Sequence, residues 1–168
     1  MGACSTHARG SLNGMLGKLT PMENSGMCAF CGVVAGRVEA SVLYEDPDTM
    51  AFVDLRQPAW PRGGHVLVVP KTHVEFLYDL PGDLAARLMQ AAVRVARAVQ
   101  QVAEPGGISL WSSNGAAADQ EVPHVHLHVL ARYHDDGLLR VYRDRPERPQ
   151  RASLDELAAK VRAAFSEA

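Results

Sequence analysis

Three histidines separated by single aliphatic residues stand at His124-Val125-His126-Leu127-His128. Histidine titrates near neutral pH and serves acid–base work, nucleophilic attack and metal binding. Two chemistries fit this spacing. Imidazoles at i and i+2 can share a catalytic zinc that keeps an open position, or a neutral imidazole can attack phosphorus as a covalent nucleophile. Just upstream, Asn114-Gly115-Ala116-Ala117-Ala118-Asp119-Gln120 supplies small residues, backbone N–H groups and two side-chain amides. Such groups receive anionic oxygens without adding charge of their own. Beyond Asp119 and Glu121, this stretch offers no carboxylate ligands.

A second cluster lies far upstream at Cys28-Ala29-Phe30-Cys31. By itself a Cys-x-x-Cys spacing is open between a metal site, a redox pair and coincidence. A thioredoxin-like pair needs a strand before it and a helix after it, and that context is not convincing here. Closed tetrahedral zinc sites are commonly built from two cysteines and two histidines.

These residues need elements to hold them. In a strand, successive side chains point to opposite faces. A strand over 122–130 therefore sends Val125, Leu127 and Val129 to the core and sets the three imidazoles in a row on the other face. Val42–Glu45 and Met50–Val53 read as two short strands around an Asp46-Pro47-Asp48 hairpin turn. His65–Pro70 is a continuous apolar run, the mark of a buried strand. Thr72-His73-Val74-Glu75 has the form of a capping box and predicts a short helix. Pro81 sits near the start of a longer helix running to Glu104. Its Leu84, Leu88, Ala91, Ala92, Val95, Val99 and Val102 form one apolar stripe. Pro105-Gly106-Gly107 ends it, and Ile108–Ser112 is a further strand. Ser153 reads as the cap of a last helix whose apolar side is Leu157, Val161, Ala164 and Phe165. Strands with one long helix among them give an α+β domain on an antiparallel sheet. Residues 1–26, rich in Gly, Ser, Thr and Asn, read as a disordered leader. Residues 27–134 form the domain core. Residues 135–168 form a C-terminal extension whose helix is expected to pack on that core.

The 168 residues suffice for one self-supporting domain. A net charge of −2 gives no long-range attraction to nucleic-acid backbones or anionic lipid, so neither is an expected partner. No stretch approaches the roughly 18–20 apolar residues of a membrane helix. Three cysteines, an odd number, without an export signal point to a reducing compartment, the cytoplasm.

The His-x-His-x-His run, followed by two apolar residues, resembles the signature of the histidine triad (HIT) superfamily of nucleotide hydrolases and transferases. The likeness extends through Cys28-Ala29-Phe30-Cys31, Tyr44-Glu45-Asp46, Ala51-Phe52-Val53-Asp54, Gly64-His65-Val66-Leu67-Val68-Val69-Pro70-Lys71-Thr72-His73, and Asn114 through His124, in the family's order. It implies a HIT-like α+β fold with a five-stranded antiparallel sheet, one long helix and one or two shorter ones, paired as a homodimer. It also implies an enzyme that cleaves the bond to the α-phosphate of a nucleoside monophosphate moiety, in a dinucleoside polyphosphate or a nucleoside phosphoramidate. The family alternatives are nucleotidyl transfer and a nucleotide-binding module without turnover. His126 would be the nucleophile and His128 would hydrogen-bond the phosphate. Gln120 and Asn114 would hold phosphate oxygens, Asp54 would lie near the ribose hydroxyls of a purine nucleotide, and His65 would support the histidine strand. Resemblance to a zinc-containing bacterial subset implies a structural Zn2+ on Cys28, Cys31, His73 and His124. This chain departs from the family at Asp119, where glycine is usual, and at Glu121, where the phosphoramidase branch has serine. Arg62, in a loop longer than usual, is a further candidate for a distal phosphate.

Overall fold

A computed structural model describes residues 28–134, 136–138 and 146–165. The leader at 1–26 and most of the arginine-containing segment at 139–145 lie outside the described residues. Elements follow in the order α1 (Ala29–Val34), β1 (Val42–Glu45), β2 (Thr49–Val53), β3 (His65–Pro70), α2 (Gly82–Ala103), β4 (Gly107–Trp111), β5 (Leu127–Arg132) and α3 (Arg151–Ala164). All five strands form one antiparallel sheet in the order β1-β2-β3-β5-β4. The expected sheet, its strand count and the single long helix are all present.

The turn between β1 and β2 closes because Asp46 Oδ1 accepts from the N–H groups of Asp48 at 2.9 Å and Thr49 at 2.7 Å. β3 is buried at all six positions because both of its faces are covered. On one face, Val66, Val68, Leu127, Val129 and Ala131 meet Leu88, Ala91, Ala92, Val95 and Val99 of α2. On the other, Met50, Phe52, Leu67 and Val69 meet Phe30 and Val33 of α1. The apolar stripe of α2 ends differently from expectation. Val102 is 87 % exposed, and the i, i+4 row from Val95 through Val99 continues to Ala103 instead.

Four local expectations change. No helix opens at Thr72. The carbonyls that would start it are taken elsewhere, Val74 by the N–H of Val125 at 2.7 Å and Glu75 by Gln120 Nε2 at 2.8 Å. A single 3-10 turn forms later, at Leu77–Asp79. The histidine strand begins at Leu127, so His124 and His126 lie in the segment leading into it. Its partner β3 ends at Pro70, which has no N–H to offer and whose carbonyl accepts from the His124 ring. α3 starts at Arg151, and Ser153 falls inside its first turn without capping it. α3 is exposed along its whole length, with Leu157, Val161 and Phe165 open to solvent. The expected packing of this helix onto the core is therefore absent among the described residues.

Gly64, at φ +101°, carries the chain into β3 and donates no side chain where none would fit. A Cβ there would lie 2.5 Å from Ala131 Cβ on the buried strand β5. Replacing Gly64 with Ala combines a left-handed alanine with overpacking, so Gly64→Ala should cost about 2–4 kcal/mol. Urea unfolding should show a lower midpoint at unchanged slope.

Candidate active site and metal centre

His126 is 5 % exposed, and its Nδ1 lies 2.7 Å from the carbonyl oxygen of His124. A carbonyl only accepts, so Nδ1 carries the proton and Nε2 keeps its lone pair. Burial lowers the basicity of the ring, which the His124 carbonyl partly offsets, so the imidazole is neutral at neutral pH. Phe30 of α1 meets it edge-on at 5.2 Å. His126 lines a cleft of about 470 Å³, within the roughly 300–1,000 Å³ range of small-molecule sites.

A second imidazole chain runs beside the first. His65 Nδ1 donates to the carbonyl of Arg56 at 3.0 Å, which leaves His65 Nε2 as an acceptor. His128 Nδ1 therefore donates to His65 Nε2, also at 3.0 Å. The remaining nitrogen, His128 Nε2, carries a lone pair. Burial, reinforced by the neighbouring His126 and His65 rings, pushes His128 down to about 4. Trp111 stacks on His128 with centroids 4.3 Å apart and planes 4° from parallel. It is the direct cross-strand neighbour of His128 on β4, as Leu67 is on β3. Asp54 is 6 % exposed and accepts from the N–H of Arg56 at 2.7 Å. Its other oxygen lies 3.7 Å from His65 Nδ1.

The polar cleft is lined by Asp54, His65, His126 and His128 among the residues singled out from sequence. It adjoins an apolar cleft of about 230 Å³ lined by Phe30, Val33, Phe52, Leu67 and Val122, and Asp54 and Arg56 border both. Asn114 and Gln120 are not on this lining. Asn114 Oδ1 accepts from the N–H of Leu77 at 2.7 Å. Gln120 is bound at both ends, to the N–H of Gly115 at 2.7 Å and to the Glu75 carbonyl at 2.8 Å. Both amides brace the loop rather than face the histidines. Asp119 has φ 60°, a left-handed conformation that glycine takes without cost and that aspartate tolerates better than most residues. Arg62 stacks over the Tyr133 ring at 3.9 Å, which uses its guanidinium away from the cleft. Phe30, Arg56, Trp111 and Glu121 line the cleft without having been assigned a role there. Alternation along β4 could have pointed to Trp111. Nothing local links Arg56 to Glu121.

Cys28, Cys31, His73 and His124 form the second centre, with all four donor atoms within 4.8 Å of one another. Cys28 Sγ and Cys31 Sγ lie 3.4 and 3.6 Å from His124 Nδ1, and Cys31 Sγ lies 3.3 Å from His73 Nδ1. Tetrahedral bonds to sulfur and nitrogen require donor separations of roughly 3.3–3.8 Å. His124 Nε2 donates to the Pro70 carbonyl at 2.9 Å, which turns the lone pair of Nδ1 toward the thiols. Burial and the adjacent Cys28 push the Cys31 thiol up, so two ionised thiols here need a cation between them. The donor set thus fits a metal ion. Asp54, His65 and His128 also bring donor atoms within 4.8 Å of one another, and His126 belongs to neither group among the described residues. No converging group among the described residues holds two of the three triad histidines, which argues against the triad as a shared catalytic zinc site.

The HIT domain profile matches residues 35–135. The chain belongs to the HIT domain family. A crystal structure of a HIT family member from Bacillus subtilis superposes with a TM-score of 0.74 at 33 % identity, covering 81 % of this chain and 95 % of that one. A zinc-bound histidine triad family protein from Mycobacterium smegmatis gives 0.61 at 34 % identity over 79 % of this chain and 96 % of that one. The adenosine 5'-monophosphoramidase of Saccharomyces cerevisiae is 31 % identical over 110 residues, 66 % of this chain and 65 % of its own. Cys28 and Cys31 lie before the matched family span, so the Cys/His cluster joins the HIT domain to the residues just before that span.

The depressed His128 has a measurable consequence. Below the ordinary imidazole value of 6.5 the unfolded chain binds the proton more readily, so stability present above 6.5 is lost as pH falls toward about 4. His128→Gln should flatten part of this decline, read as urea midpoints between pH 7 and 4. A slope unchanged by the substitution would contradict the neutral assignment.

Proposed function

We propose that this HIT protein is a nucleotide hydrolase acting on the bond between the α-phosphate of a nucleoside monophosphate moiety and its leaving group. The observation that carries this reading is the neutral His126, aimed by the His124 carbonyl with Nε2 free. The apolar cleft suits a purine, and Asp54, at the junction of the two clefts, suits the ribose hydroxyls. His126 Nε2 attacks phosphorus, the P–Nε2 bond forms, and the bond to the leaving group breaks. The nucleotidyl-imidazole carries a positive charge that Nδ1–H shares with the His124 carbonyl. Water then attacks phosphorus from the opposite side, His126 departs neutral, and the water proton passes to His128 Nε2. His65 acts through His128 by fixing its tautomer. Asn114 and Gln120 serve as positioning residues for the loop beside the phosphate.

The metal is zinc in this reading, since two thiols and two imidazoles favour it over harder ions. A closed four-ligand site leaves no position for substrate or water, so the ion supplies structure. Cys28, Cys31, His73 and His124 would hold it. A homodimer is supported by the open edge of β4, where Leu110 is exposed, and by exposed Met89 and Val93 on α2. No described helix is long and apolar enough to cross a membrane, and the protein is assigned to the cytoplasm on its cysteine usage.

Denaturing a reaction mixture in acid-free conditions and weighing the intact chain should reveal one nucleotidyl group on His126. His126→Ala should lower kcat by about 10⁴-fold or more while AMP still binds. Normal turnover by that variant would sink the mechanism. Metal analysis should find one zinc per chain, lost in Cys31→Ser together with a lower unfolding midpoint. Brief chelation should lower that midpoint before it lowers turnover, and the reverse order would make the ion catalytic.

A further inference from the structure

Arg56 and Glu121, 65 residues apart, meet in a two-bond ion pair beside the histidines. Arg56 Nη1 and Nη2 donate to the two carboxylate oxygens of Glu121 at 2.9 and 2.7 Å. Both residues line the cleft that holds His126 and His128, and Glu121 lines that cleft alone. Its hydrogen bonds from Arg56 hold its carboxylate below the usual glutamate range. Arg56 is anchored at its backbone, where Asp54 accepts from its N–H, so only the side chain is free to change partner.

Three features decide what this pair can do. A guanidinium fork that accommodates the two oxygens of a carboxylate accommodates two oxygens of a phosphate equally well. The two side chains are 69 and 65 % exposed, so the pair is worth only about two- to fivefold in an equilibrium constant and opens readily. A buried pair would be too costly to part. Glu121 is also held ionised, first by its hydrogen bonds from Arg56, and so carries no proton to hand to a departing amine. An anionic phosphate leaving group needs no such proton.

We infer that Arg56 receives the anionic portion of the leaving group, with Glu121 as the carboxylate that occupies its fork until that anion arrives. Arg56 and Glu121 together then select substrates whose leaving group carries phosphate beyond the α-phosphate. This rests on the nucleotide reading above and adds to it the charge of the departing half. A carboxylate beside the cleft repels an incoming phosphate only while it is unpaired or facing inward, and displacement from Arg56 leaves it free to swing into solvent. The exchange is non-covalent and conserves charge, one anion replacing another on the same guanidinium.

Calorimetry with AMP and with α,β-methylene-ADP, which no hydrolysis can consume, isolates the second phosphate as the ratio of the two Kd values. For the wild-type full-length protein the methylene compound should bind more tightly. Arg56→Gln should reduce that ratio about fivefold to tenfold, the loss expected of a charge-assisted forked contact at a partly exposed site. Arg56→Lys should recover only part of it, because an ammonium cannot fork. Glu121→Gln should raise the ratio about two- to fivefold by freeing the fork. A ratio unmoved by Arg56→Gln, or lowered by Glu121→Gln, overturns the inference while AMP binding still upholds the nucleotide reading. Equal weakening of both ligands would assign the pair to the nucleotide half and also overturn it. Failure of the wild type to bind AMP would defeat the nucleotide reading itself and the inference with it.

Discussion

The main-chain carbonyl of His124 is the contact on which the site depends. It accepts from Nδ1 of His126 at 2.7 Å and so determines which nitrogen of that ring keeps its lone pair. His124 is fully buried and uses every polar group it has. Its Nδ1 faces the two thiols, its Nε2 donates to Pro70, its carbonyl aims His126, and its N–H bonds the Val122 carbonyl at 2.8 Å. A shift of the ring among the sulfur and nitrogen donors is therefore a shift of the carbonyl behind His126. Period-two alternation makes this economical, since residues two apart share a face. One short segment joins a cysteine-rich centre to a cleft.

Burial does chemical work here through α1. A polar strand face would leave three imidazoles solvated and half-protonated near neutral pH. Phe30 and Val33 cover that face, and Phe30 touches the rings of both His124 and His126. Desolvation is the leading cause of the lowered basicity of His124, His126 and His128 alike. The contacts from the Arg56 carbonyl through His65 to His128 form one continuous hydrogen-bonded chain. The six-residue helix that follows Cys28 and contains Cys31 thus also covers the surroundings of His126.

Regular elements were legible because their signals are local. The Asp46-Pro47-Asp48 turn, the unbroken apolar run of β3 and the stripe of α2 each declare themselves within a dozen residues. The alternation of histidine with Val125, Leu127 and Val129 correctly sorted those aliphatic residues to the core, where they join the cluster that contains α2. Features decided by distant partners were not legible. Asn114 and Gln120 have the right chemistry for phosphate, yet the nearest backbone donors and acceptors claimed them. The Arg56–Glu121 pair spans 65 residues and follows no period. α3 reads as amphipathic, but amphipathicity names a face and not what meets it.

The failed helix at Thr72–Glu75 explains more than a successful one would have. An α-helix starting there would commit the carbonyls of Val74 and Glu75 to N–H groups four residues on. Both carbonyls are instead free for Val125 and Gln120, and the N–H of Leu77 is free for Asn114. The extended segment also swings His73 back to within 3.3 Å of Cys31. Four consequences thus share one irregular stretch: a member of the Cys/His cluster, the anchor of the segment leading into β5, and the two amide braces of the loop beside the cleft. Irregular backbone persists only where its polar groups find partners. Here those partners are the parts of the site, so the stretch that breaks the local helix signal is the one that ties the Cys/His cluster, His126 and the loop together.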